Sequence, residues 1–182
     1  MRNTCKDNGF TLLEVLIAFM ILSFGLLGAV ALQAKAKQAS FDSLQRAAAV
    51  ELASDILHRM RNNDANNVVD LYDVEFTSDD TVPAKEKCYS DFCSAEEVAQ
   101  TDIINWQHAI RARERSGSLD NATVCINPTT STNGVNVEVI VTWRGRQEMT
   151  AADDNPAGSC GVNDDRRRAV VMETFLLLRG QP

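Results

Sequence analysis

Glu14 is the only charged side chain between Gly9 and Leu32, in the stretch GFTLLEVLIAFMILSFGLLGAVAL. An isolated carboxylate in hydrocarbon is costly unless it is protonated or paired. The chemistry open to such a residue is recognition rather than catalysis. It favours an ammonium or guanidinium partner, and the attraction is far stronger in an apolar setting than in water.

The other reactive side chains are five cysteines, Cys5, Cys88, Cys93, Cys125 and Cys160. Cys5 precedes the apolar run. If that head is removed or stays in the cytoplasm, four cysteines remain, enough for two disulfides in an oxidising compartment. Cys88-Tyr-Ser-Asp-Phe-Cys93 encloses four residues. As half of a zinc site it lacks a second pair at finger spacing, and His58 and His108 are remote in sequence, so a local disulfide is expected. Four cysteines permit three pairings. Taking Cys88–Cys93 as the local bridge leaves Cys125 with Cys160, which ties a long polar loop to a strand.

No catalytic set is visible. There is no phosphate-binding glycine loop and no nucleophile-elbow serine, and the two histidines fall on separate predicted helices. No enzyme activity, cofactor or metal is expected. Asp153-Asp154 and Asn163-Asp164-Asp165, within the polar loop from Gly145 to Arg168, match no standard calcium loop. A net charge of -7 argues against nucleic acid as a direct partner. The clusters Arg111, Arg113, Arg115 and Arg166, Arg167, Arg168 are read as solvated ends of elements.

The elements that carry these residues begin with a long helix. Phe10 to Leu32 is 23 residues with one charge, about enough to cross a ~30 Å hydrocarbon core. From Gln33 to Arg61 the apolar residues Phe41, Leu44, Ala48, Leu52, Ile56 and Met60 recur every three or four positions, an amphipathic stripe. No proline occurs before Pro83. The two segments therefore read as one helix from about Thr11 to Arg61, roughly 75 Å long at 1.5 Å per residue. Such a helix outruns any domain the remaining chain can build. Its first half needs lipid or sister helices, and its second half can pack on a globular domain. Arg2 and Lys6 favour a cytoplasmic head with the rest outside. Three fates fit the apolar run: a signal peptide cut near Ala29-Val30-Ala31, an uncut anchor, or a leader cut just before the run.

The order of a basic head, Gly9, then Phe10-Thr11-Leu12-Leu13-Glu14-Val15 resembles the N-terminus of type IV prepilins and pseudopilins. The resemblance implies a leader of residues 1–9, removed after Gly9 by a prepilin peptidase, and N-methylation of Phe10. It implies that Glu14 pairs with the N-terminal amine of a neighbouring subunit in a filament. It also implies a lollipop architecture: residues 10–32 as the transmembrane and filament-core half of the helix, 33–61 as its amphipathic half, and 62–182 as an extracytoplasmic domain. Gly25 and Gly28 suit close helix packing or local melting on leaving the membrane. The absence of a proline some twenty residues into the mature chain departs from many major pilins.

The domain reads as α+β. Asn62 to Lys87 is a polar connector with extended candidates at Val68–Leu71 and Val74–Phe76. Ser94-Ala-Glu-Glu97 is a capping box. Behind it Ala99, Ile103, Trp106 and Ile110 share one helix face, and Ser116-Gly117 stops the helix, giving about Ala95 to Arg115 with Trp106 as a core anchor. Ala122–Ile126 is a strand ended by Asn127-Pro128. Asn133-Gly134 turns into a second strand, in which Val135, Val137, Val139, Val141 and Trp143 alternate with mostly polar residues. Ala169–Leu178 is a third strand. An antiparallel sheet of at least three strands against the end of the long helix follows.

The chain's size, the C-x4-C before INWQHAIRAR, the strand VEVIVTWRGR and the end RRRAVVMETFLLL together resemble the PilV group of minor pilins. That resemblance implies a protein held in the bacterial inner membrane with its domain in the periplasm, then displayed on the pilus (fimbrium). The implied partners are the inner-membrane assembly platform, other minor pilins, the major pilin and a tip adhesin. The implied roles are priming of pilus assembly, adhesion and twitching motility. The alternatives are a pseudopilin of a type II secretion system and an unrelated signal-anchored binding domain.

Overall fold

The computed structural model describes residues 9–63, 65, 67–83, 88, 92–148 and 156–177. Residues 1–8 of the expected leader with Cys5, connector residues 84–87, the Asp153–Asp154 pair and Leu178 lie outside the described residues. The elements run α1 (Leu12–Asn62), α2 (Val68–Tyr72), β1 (Val74–Thr77), α3 (Ala95–Arg115), β2 (Asp120–Ser131), β3 (Gly134–Arg144), a 3₁₀ turn (Pro156–Ser159) and β4 (Arg167–Leu177). The chain divides into two compact units, Met1–Phe41 and Asp42–Pro182.

The first unit is the apolar start of α1. Its large side chains bury nothing within the unit: Leu12, Phe24 and Leu32 are 82, 69 and 73% exposed. This is the one helix among the described residues long and apolar enough to cross a membrane.

The second unit is α+β. Its sheet is antiparallel in the order β1-β2-β3-β4, so every strand pairs with its sequence neighbour. The period-two residues of β3, Val135, Val137, Val139, Val141 and Trp143, are all buried. They form one apolar cluster with Leu52, Ala53, Ile56 and Met60 of α1 and with Trp106 and Ile110 of α3. Helix α3 has the expected bounds. Ser94 Oγ accepts from Glu97 N–H at 3.2 Å, and the Glu97 carboxylate accepts from Ser94 N–H at 2.7 Å. This reciprocal box satisfies two otherwise orphan donors.

Four expectations are corrected. Val68–Leu71 is helical, the body of α2, although the β-branched Val68-Val69 favours strand. Burial decides it: Val68 and Tyr72, one helical turn apart, are 2% and 0% exposed on the same face. Second, Pro128 does not end its strand, because β2 continues to Ser131. The last pair with β1 is Val74↔Ile126, so at Pro128 the β1 side of the strand is open and a missing N–H can face it. Third, Leu44 stands 65% exposed, and the stripe of α1 turns to Gln45, Ala49 and Ala53. Fourth, the arginine clusters are not simply solvated ends. Arg167 is 3% exposed. Arg111 donates to the carbonyls of Ser78 and Asp80, and Arg113 pairs with Glu51 at 3.3 Å.

Candidate functional site

The residues singled out for processing and pairing sit at the head of α1. Gly9, Phe10 and Thr11 are outside the helix. The Thr11 carbonyl accepts from the N–H groups of Glu14 (3.1 Å) and Val15 (3.3 Å), and Thr11 Oγ1 accepts from Glu14 N–H at 3.3 Å. Thr11 is therefore the N-cap and Glu14 occupies the third helical position, where an acidic side chain suits the positive end of the helix dipole. The cap has a second consequence: the helix begins beyond the Gly9–Phe10 bond, which lies in exposed, non-helical backbone. Sequence reasoning missed this cap, although Thr11-Leu12-Leu13-Glu14 has the spacing of a capping box.

Phe10, Glu14, Val15, Ala18, Phe19 and Leu22 line a shallow concavity along this end of the helix. It is apolar except for the one carboxylate. Ser23, the other polar residue deeper in the run, donates to the Phe19 carbonyl at 2.7 Å and needs no outside partner. A Cβ added at Gly25 or Gly28 would meet nothing within 4 Å, so nothing among the described residues requires glycine there.

In the second unit the cysteines form two disulfides, Cys88–Cys93 and Cys125–Cys160. The Cys160 sulfur lies against Cys125, Ile140 and Val171 on the sheet face away from the helices, and its carbonyl accepts from Thr142 Oγ1 at 3.1 Å. Gly161 follows with φ +76°, and a Cβ there would come within 2.6 Å of Thr123 Oγ1. Close backbone approach and positive φ both call for glycine at this position.

That approach closes over Arg167. Its guanidinium donates to the Asn121 carbonyl (2.7 Å), Asn121 Oδ1 (2.8 Å) and Thr123 Oγ1 (2.9 Å). Asn121 lies in the register shift between Asp120 and Thr123, at φ 46°, which turns its oxygens toward the arginine. Burial holds the Arg167 pKa below the usual arginine value; Asp164 opposes the shift and Arg144 adds to it.

A second polar group, also missed in sequence, joins the helices. Asp55 accepts from Arg59 Nε and from Trp106 Nε1, both at 3.0 Å. Asp102 accepts from Arg59 Nη1 at 3.0 Å and from the Tyr72 hydroxyl at 3.2 Å, and Asn63 donates to Tyr72 Oη at 2.9 Å and to the Ala95 carbonyl at 2.8 Å. Burial pushes the Tyr72 pKa well up. Burial works against the charged form of Arg59, but its bonds to Asp102 and Asp55 outweigh that and raise its pKa. The group clamps α1, α2 and α3 together. Its geometry is that of a structural clamp, since every member is spent on another member.

His58 and His108 are both exposed, on different helices. Among the described residues no group of three or more His, Cys, Asp or Glu side chains could hold a metal ion.

Two family models match. The prokaryotic N-terminal methylation motif covers residues 5–30, and a model described as type IV pilin Tt1218 covers residues 31–104. Together they span residues 5–104 of 182 without a gap. Neither the curated proteins nor the solved structures contain a match.

Proposed function

The chain belongs to the type IV prepilin family, and from that premise we propose that it is a minor pilin of the PilV group, cut after Gly9 and N-methylated on Phe10. Members of this family are structural proteins. The one observation that carries the proposal is the head of α1: an exposed, unwound Gly9–Phe10 bond, a cap at Thr11, and then an exposed apolar helix bearing a single carboxylate.

Before assembly the apolar half rests in the inner membrane, with residues 62–182 on the periplasmic side. Cleavage creates an amine on Phe10, four residues from Glu14. In a filament core the Glu14 carboxylate takes the Phe10 amine of a neighbouring subunit. Either group alone is costly in a low-dielectric helix bundle, so their pairing selects one stagger between subunits. The open surface at Gly25 and Gly28 supports close approach of a neighbouring helix. Other minor pilins, the major pilin and a tip adhesin are the partners of such a subunit, with the assembly platform as its loading point. Its work is to prime assembly and complete the tip used in adhesion and twitching.

Complementation of a pilus-bearing null strain tests this reading. Glu14→Gln should be cleaved and membrane-inserted but absent from sheared pili, whereas Gly9→Asp should remain full length. Normal assembly of Glu14→Gln would defeat the pairing role.

A further inference from the structure

β4 is an edge of the sheet, and its ladder with β3 runs unshifted from Gly134↔Leu177 to Arg144↔Arg167. Gly145 N–H donates to the Arg166 carbonyl at 2.8 Å. Bonded and non-bonded pairs alternate in an antiparallel ladder. This parity turns the N–H and C=O groups of Ala169, Val171, Glu173, Phe175 and Leu177 away from β3. Among the described residues none of the five has a backbone partner on that open side.

Edge strands are normally blunted by brevity, proline, lysine or a bulge. β1, the other edge, has four residues. β4 has eleven, RRAVVMETFLL, without proline, lysine or a bulge. Its charges are Arg167 and Arg168 at its start and the lone Glu173, so the stretch from Ala169 to Leu177 has one charge to guard it. Its exposed face adds specificity. Glu173 lies directly opposite Glu138, an arrangement that destabilises a sheet unless a cation relieves it. Asn127 donates to Glu138 at 3.0 Å, and these residues line a shallow concavity with Thr129, Asn136 and Phe175. Phe175 is 44% and Leu177 75% exposed just beyond.

We infer that the open edge of β4 is a docking edge for an extended strand of another polypeptide, with a cationic side chain beside Glu173 and apolar side chains beside Phe175 and Leu177. Backbone hydrogen bonds hold such a strand and the alternate side chains choose it. Charge complementarity excludes a second copy of β4 as the occupant. The symmetric antiparallel register centred on Glu173 sets that residue against itself. Every other register that sets outward-facing residues opposite one another places Ala169, Val171, Phe175 or Leu177 beside Glu173, none of them a cation. Arg167, the cation in that parity, is 3% exposed and spent on Asn121 and Thr123. The inference needs only this edge and is independent of Glu14.

The test uses the full chain in detergent micelles and strand-length synthetic peptides of alternating valine and threonine. One peptide carries arginine at the position facing Glu173, its twin carries glutamate there, and a third has the β4 sequence itself. Fluorescence anisotropy reads affinity, and amide hydrogen exchange reads the place of binding. The arginine peptide should bind about tenfold more tightly than its twin and protect the amides of Val171, Glu173 and Phe175. Val171→Pro removes an outward N–H but leaves the β3 ladder intact, so it should abolish binding. Glu173→Lys, which asks nothing of the backbone, should invert the order of the twins. Equal affinity of the twins, tighter binding of the β4 peptide, no binding by any peptide, or protection elsewhere in the chain would overturn the inference.

Discussion

Replacing Asp102 with asparagine keeps the shape of the side chain and removes its charge from the middle of the three-helix clamp. Asp102 is 6% exposed and accepts from both Arg59 and Tyr72. The amide can still accept from one of them but presents an N–H₂ group to the other. Removing one partner of a fully buried ion pair costs ~3–5 kcal/mol. The Arg59 side chain, however, is 43% exposed and keeps Asp55, so solvent screening takes a large share of that. What remains is a mismatched Tyr72 hydroxyl and buried amide, an expected loss of ~2 kcal/mol. For a domain of this size that lowers Tm by ~4–8 °C. Thermal unfolding of the full chain in detergent, followed by near-ultraviolet circular dichroism, reports it directly because the Tyr72 and Trp106 rings lie 5.9 Å apart. Arg59→Met should cost less than Asp102→Asn, and the double mutant should fall short of additivity by ~1 kcal/mol. An unchanged Tm for Asp102→Asn, or strict additivity in the cycle, would refute the clamp.

Two further perturbations read other parts of the domain. Cys125→Ser with Cys160→Ser releases a closure of 35 residues, worth ~3–4 kcal/mol on the loop-entropy account; the urea midpoint should fall accordingly, and an unchanged midpoint would deny the loop its structural role. Tyr72 has a folded-state pKa raised by burial, so its contribution is intact below the ordinary tyrosine pKa of ~10 and is lost as pH rises past it, by at most ~1.4 kcal/mol per pH unit. Unfolding measured from pH 8 to 11 should show that slope in the native chain and lose it in Tyr72→Phe.

How far the sequence foretold the structure depended on how local each signal was. Helix α3 was legible to the residue because its start is a reciprocal Ser94–Glu97 box and its stop is Ser116-Gly117, all within one turn of its ends. The inward face of β3 was legible because five alternating positions must share one side. α2 was not, since its two valines favour strand and only burial of Val68 and Tyr72 against other elements makes the turn helical. The burial of Arg167 depends on Asn121 and Thr123, 46 and 44 residues away. The clamp likewise joins Arg59 to Asp102 across 43 residues and Asp55 to Trp106 across 51. No local pattern announces such pairs. At the head of α1 the apolar run and Glu14 are plain in the sequence, while the Thr11 cap is carried only by the three-residue spacing of Glu14 from a threonine.

The fate of the Gly9–Phe10 bond decides the proposed function. Intact-mass analysis of the protein purified from a pilus-forming host should give a chain that begins at Phe10 and carries one added methyl group. A chain beginning near Leu32, or one that retains residues 1–9, would contradict it.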